Sequence, residues 1–340
     1  MKKLIYFPIT LLFIACGGGD DKKKDEKSPE TKTDTTSVDT VAEVVDTLYI
    51  IPDYKNPYPS SLKGDEKKLF KKYFTDSLVA ETFAMRHSFD SITTEKQMRI
   101  YYDYLMAFKR RMTDYFGSDA AIDKWIDANE GKGVASQMMP EEKWDLSSDY
   151  VYKGTEELEK LDIYFDGLRV GCVAECTMLN YDLVSDELFV KAKETEGKAD
   201  DDFFAFFIDY HTGEWDPETM NAKYFKATWD LGGESMLGDG SHLDYLKSID
   251  QMLEGSKLFE LQIKNYREWC ISDITQWHIF ALGTDKIIPE VEKIIKEVKL
   301  SAEEKKEMEK RKKEFREHKV NSETGEGLQV GCETGDCIYG

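Results

Sequence analysis

Eighteen consecutive apolar residues occur nowhere in this 340-residue chain, and its opening apolar run, Leu4 to Ala15, is interrupted by Pro8 and Thr10. A helix needs roughly 20 such residues to cross a bilayer, so no spanning segment is expected. Basic charge is short as well, with 46 lysines and arginines against 67 aspartates and glutamates. The resulting net charge of -21 repels phosphate backbones and sets nucleic-acid binding aside. Histidine appears only five times, at positions 87, 211, 242, 278 and 318, with neither an HExxH motif nor an i, i+4 pair. The six cysteines lack the two-residue spacings of a zinc site, and neither a metal nor another cofactor is expected. No internal repeat of regular period is found.

What the chain does have begins at its first residues. Lys2 and Lys3 precede the apolar run, which ends in the small residue Ala15 directly before Cys16. This is the layout of a secretory signal. Phe13-Ile14-Ala15-Cys16 resembles the bacterial lipobox, with Phe13 where leucine is usual, and Asp20-Asp21-Lys22 is similar to the export tag of surface lipoproteins of the Bacteroidota. The resemblance covers about the first 25 residues. It implies removal of residues 1–15, acylation of Cys16, and anchoring in the outer membrane at the cell surface, with the periplasmic face as the alternative. One acyl chain holds a bilayer marginally and two or more hold it stably, at ~0.8 kcal/mol per buried methylene. In the same light, Asp34-Thr35-Thr36, Asp39-Thr40-Val41 and Asp46-Thr47-Leu48 are similar to the O-glycosylation sequons of that phylum.

Residues 16–47 read as a disordered tether, rich in Thr, Asp, Glu and Lys, that cannot bury apolar surface. From Leu48 the chain is long enough for a sizeable core. Residues 48–150 read as a helical region, 151–300 as a hairpin plus helices sharing one core with it, and 301–340 as a charged helix with a cysteine-containing tail. The fold class expected is mainly α, with a small β-hairpin element and an α+β arrangement as the alternative.

The spacing supports this element by element. Leu69, Phe70, Tyr73, Phe74 and Leu78 recur at helical intervals, and Thr94 with Gln97 has capping-box spacing before the stripe Met98, Tyr101, Leu105, Phe108, Met112 and Tyr115. Asp119 to about Ala128 carries Ile122, Trp125 and Ile126, and a glycine-containing loop then runs through Pro140. At "LDIYFDGLRVGCVAEC", residues 161–176, alternation on both sides of Asp166-Gly167 predicts a hairpin turning there. Helices follow from Ser185, from Asp200 with its Phe-rich run (a buried strand fits that run equally), from Ser241, and from Phe259 to Trp277. Pro289 fits a helix start. Residues 302–319, with only Met308 and Phe315 apolar, read as a solvated terminal helix.

An exported chain favours disulfides. Cys332 and Cys337 flank a glycine-containing turn that can close a small bridged loop, whereas Cys172 and Cys176, if on one strand, stand roughly 13 Å apart and cannot bond directly. The leading ligand-binding candidates lie in "TWDLGGESMLGDGSH", residues 228–242: Trp229, Asp230, Glu234, Asp239 and His242. Gly233-Glu234-Ser235 begins like a nucleophile elbow, but Leu237 stands where the closing glycine belongs. Ser241 with Asp244 has capping-box spacing, so a glycine loop entering a helix explains the same residues. No catalytic residue is identified, and an enzyme is the less favoured expectation. The sequence points to an envelope lipoprotein presenting a helical binding domain for a glycan, peptide or envelope protein. A surface-displayed hydrolase with an acidic site near residues 230–242 is the alternative. Exposed Trp215, Trp229 or Trp277 would favour a sugar ligand.

Overall fold

A computed structural model describes residues 47–173, 178–211, 222–227 and 233–317. All belong to one compact unit, and among them eleven α-helices dominate two small antiparallel sheets. The protein is mainly α, and the Cys16, Trp229, Asp230, Cys332 and Cys337 assignments lie outside the described residues.

The first half is built around one long helix. α1 (Gly64–Tyr73) and α2 (Asp76–Asp90) are separated where Thr75 caps α2, its hydroxyl accepting from Leu78 N–H. α3 (Glu95–Phe116) starts at the Thr94–Gln97 capping box and buries Met98, Tyr101, Tyr102, Leu105, Phe108, Met112 and Phe116. α4 (Asp119–Glu130) follows, capped by Ser118. Residues 140–158 form α5 (Pro140–Leu158), a helix that the apolar spacing did not announce; Pro140 at its start and the Glu142 carboxylate accepting from Met139 N–H mark its first turn.

The hairpin is displaced from its expected position. Residues 159–164 form a 3-10 helix, and Asp166-Gly167 leads into β1 (Leu168–Val173), which pairs with β2 (Met178–Leu183). Three alternating residues, Leu161, Ile163 and Phe165, were too short a pattern to separate a 3-10 turn from a strand. Gly167 holds φ +82°, and a Cβ there would lie 2.7 Å from Leu188 Cδ2, so this corner requires glycine. Tyr101 fixes it from α3, its hydroxyl donating to the Asp166 carbonyl at 2.7 Å.

In the second half, α6 (Ser185–Ala192) and α7 (Ala199–His211) lead to β3 (Phe225–Ala227), which pairs with β4 (Gly233–Ser235). α8 (Ser241–Glu254), α9 (Glu260–Gln276), α10 (Thr284–Glu297) and α11 (Ala302–Glu317) complete the chain. The Phe-rich run is helical, with Phe203, Phe204, Phe206 and Phe207 all buried. Pro289 lies inside α10 rather than at its start.

α11 is docked, contrary to the solvated helix its composition predicts. Met308, Arg311 and Phe315 are buried, and the Arg311 guanidinium donates to the carbonyls of Ile274 and Trp277 at the end of α9. A cation there meets the negative end of the helix dipole. A single apolar cluster extends from Leu62 to Phe315, and the Tyr102 and Tyr266 hydroxyls, 2.9 Å apart in the interior, join α3 to α9.

Candidate functional site

Three of the five predicted ligand-binding residues are described, and they do not converge. Along β4 Gly233 and Ser235 are buried while the side chain between them, Glu234, faces the other way beside Lys226 of β3. Asp239 is exposed, its carboxylate accepting from Ser241 N–H at 2.8 Å. His242 is fully buried in the first turn of α8 and meets Ser235 and Asp273.

These three form a polar knot rather than a hydrolytic triad. The Ser235 hydroxyl donates to Asp273 Oδ2 at 2.5 Å, and His242 Nε2 donates to the same oxygen at 2.7 Å. A triad needs the carboxylate on one imidazole nitrogen and the serine on the other. Here Nε2 serves both, with Ser235 Oγ 3.4 Å away, and Nδ1 is buried with no partner among the described residues. Ser235 and His242 are both fully buried. The knot ties β4, α8 and α9 together, and Tyr224 covers the His242 ring at 5.0 Å.

A second buried carboxylate governs the glycine loop. Gly240 adopts φ +99° at the entry of α8 and has no side-chain cap; the predicted capping box is absent, and the Ser241 hydroxyl is buried without a partner. Glu290, reaching across from α10, does the capping. It accepts from Gly238 N–H at 2.5 Å, Gly240 N–H at 3.1 Å and Leu243 N–H at 3.1 Å. Asp273 and Glu290 were not anticipated, yet each had a signal: a carboxylate inside an apolar stripe. Asp273 shares its face with Tyr266, Cys270 and Ile274, and Glu290 shares its face with Ile287, Val291 and Ile294.

The polar knot is closed, but an open cleft of about 380 Å³ lies between α7, α8 and the start of α9. Phe206 and Tyr210 form one wall, Met252 and Gln251 the other, and Phe259 the base. Phe259 stacks on Phe203 with ring centroids 4.2 Å apart, and the Tyr210 hydroxyl bonds Ser248 Oγ at 3.0 Å, which holds α7 against α8. Asp202 and Asp209 stand at its rim. About half of its lining is polar, and its volume falls within the range of small-molecule sites. His211, which ends α7, turns inward and bonds the Tyr245 hydroxyl through Nε2 at 2.7 Å.

Of the tryptophans expected to distinguish a sugar ligand, Trp215 and Trp229 lie outside the described residues. Trp277 is half-buried, donating from Nε1 to the Gly233 carbonyl at 3.0 Å with its ring edge-on to Phe225. Cys270 is a free, buried thiol, pushed well above its ordinary pKa by burial. No disulfide joins the two described cysteines, Cys172 and Cys270. Among the described residues no group of histidine, cysteine or acidic side chains is arranged to hold a metal, and no helix is long and apolar enough to cross a membrane.

Comparison with known proteins finds no matching family model, no matching curated protein and no matching solved structure.

Proposed function

We propose that this chain is a lipoprotein of the outer membrane, anchored through acylated Cys16 and facing the cell surface, whose helical body binds a glycan, a peptide or another envelope protein in the α7–α8 cleft. The leader, the lipobox-like tetrapeptide and the acidic tag support the anchor. The observation that carries the binding role is the contrast between two places in the second half of the chain. The Ser235–His242–Asp273 group is buried and wrongly connected for hydrolysis, while the α7–α8 cleft is open and lined by aromatic and polar side chains together. A binding module needs only such a cleft, since affinity comes from burial and a few placed polar groups. Glycan and peptide arrays probed with the full chain test the reading. Saturable binding to one ligand class is expected, and failure to bind anything on either array would count against it.

A further inference from the structure

A second cleft, of about 510 Å³, opens on the far side of the hairpin corner between the end of α2, the 159–166 segment and α6. Its floor is apolar, made by Phe89 and Phe165, and two aliphatic side chains stand exposed at its edges, Ile163 (64%) and Val190 (61%). Six carboxylates surround that apolar surface: Asp90, Asp162, Asp166, Asp186, Glu187 and Glu194. The nearby cations are already engaged. Lys191 lies 3.4 Å from Glu194 and over the Phe89 ring, Arg169 bonds Glu187 at 2.7 Å, and Arg86 lies 3.6 Å from Asp166 while donating to the Ile163 carbonyl. Asp90 and Asp186 form no ion pair among the described residues, Asp162 accepts from the Val170 N–H at 3.0 Å and feels Arg169 without bonding it, and Asp166 Oδ2 is buried and unbonded.

We propose that this cleft docks an extended, basic and amphipathic segment of a partner protein, its lysine or arginine side chains meeting the unpaired carboxylates and its aliphatic side chains covering Ile163, Val190 and the Phe89–Phe165 floor. The charge imbalance selects the sign of the occupant and the apolar floor selects a peptide over a bare cation. This surface lies on elements other than those of the α7–α8 cleft, so it would be a second site. It also carries a built-in dependence on acidity. Asp162 and Asp166 are each pushed up to about 6 by burial, with Glu159 and Glu187 reinforcing the first and Asp90 and Glu187 the second. Arg169 and the Val170 N–H oppose the shift at Asp162, and Arg86 opposes it at Asp166. Tyr181 of β2 and Tyr101 of α3 also face these acids and stay neutral, held above their ordinary range by burial. Acidification therefore discharges the cleft and releases a cationic ligand.

The test is fluorescence anisotropy on the full chain with a short labelled peptide of alternating lysine and leucine. Saturable binding at about pH 7.5 is expected, weakened about tenfold near pH 5 and about tenfold by the Asp162→Asn, Asp166→Asn double variant. Val190→Ser, an exposed change that leaves the fold alone, is expected to weaken binding severalfold. Equal binding of the serine-for-leucine or glutamate-for-lysine peptides would overturn the proposal, as would indifference to the double variant. The chain's own Lys22, Lys23 and Lys24 are the rival occupant. If the peptide binds only after those three are changed to glutamate, the cleft serves the tether and the partner assignment fails.

Discussion

His242 meets Asp273 through Nε2, at 2.7 Å, which is the nitrogen a hydrolytic imidazole would keep for its serine. The consequence is a change in what each substitution should affect. Asp273→Ala strands the Ser235 hydroxyl and the His242 ring in the interior, and an unsatisfied buried group costs about 1–3 kcal/mol. Ser235→Ala leaves the His242–Asp273 contact intact and should cost about 1 kcal/mol. Urea unfolding of the full chain should place Asp273→Ala at clearly the lower midpoint, with an unchanged slope. Equal losses would mean the three groups are not joined as described.

Glu290 makes an equally specific claim at the start of α8. With three backbone N–H groups on one carboxylate, Glu290→Ala should destabilise by about 2 kcal/mol, and Glu290→Gln, which keeps an acceptor but loses the charge, by about half as much. Asp239→Ala, at the exposed loop, should change little. Thermal unfolding of the three variants gives the order directly.

Stability should also respond to acid at the hairpin corner. Asp162 and Asp166, pushed up to about 6 mainly by burial, bind protons in the folded state before they do in the unfolded one. Stability contributed by these two groups therefore rises as pH falls through 6 and is complete below the ordinary carboxylate value. The double asparagine variant should be more stable than the native chain at about pH 7.5, with the gap closing by about pH 5. A gap that stays constant or widens on acidification contradicts the assignment.

Much of the helical skeleton was legible in the sequence because each helix carried its own stripe and cap. Thr94 with Gln97, the run from Met98 to Met112, and the helix start at Asp119 are local signals, and they stand in the structure where the spacing put them. What failed was pairing at a distance. The partner of β1 is Met178–Leu183, where Leu179, Tyr181 and Leu183 alternate with Asn180 and Asp182, a period-2 signal that was present but only five residues long. α11 looked solvated because its inward face is made of Met308, Arg311 and Phe315, and an arginine gives no apolar signal although its guanidinium caps α9. Loop 236–240 followed the same rule: the cap that stabilises it comes from Glu290, about fifty residues away. The site candidates were chosen by local richness in acids and glycine, whereas the chemistry of that stretch was set by residues on α9 and α10.

The anchor has its own test. Cys16→Ser should abolish incorporation of labelled palmitate and release the chain from the membrane fraction, because the remaining leader is too short to hold a bilayer. Membrane association that survives this change would contradict the lipoprotein reading.

The binding role stands or falls on the α7–α8 cleft, where Met252 faces Phe206 and Tyr210 across the opening. The direct measurement is isothermal titration of the best array ligand into the native chain, Met252→Trp and Ser235→Ala. Filling the cleft with the larger side chain should abolish the heat of binding, while Ser235→Ala should leave it unchanged. Binding that survives Met252→Trp, or that disappears with Ser235→Ala in a chain that remains folded, would contradict the account.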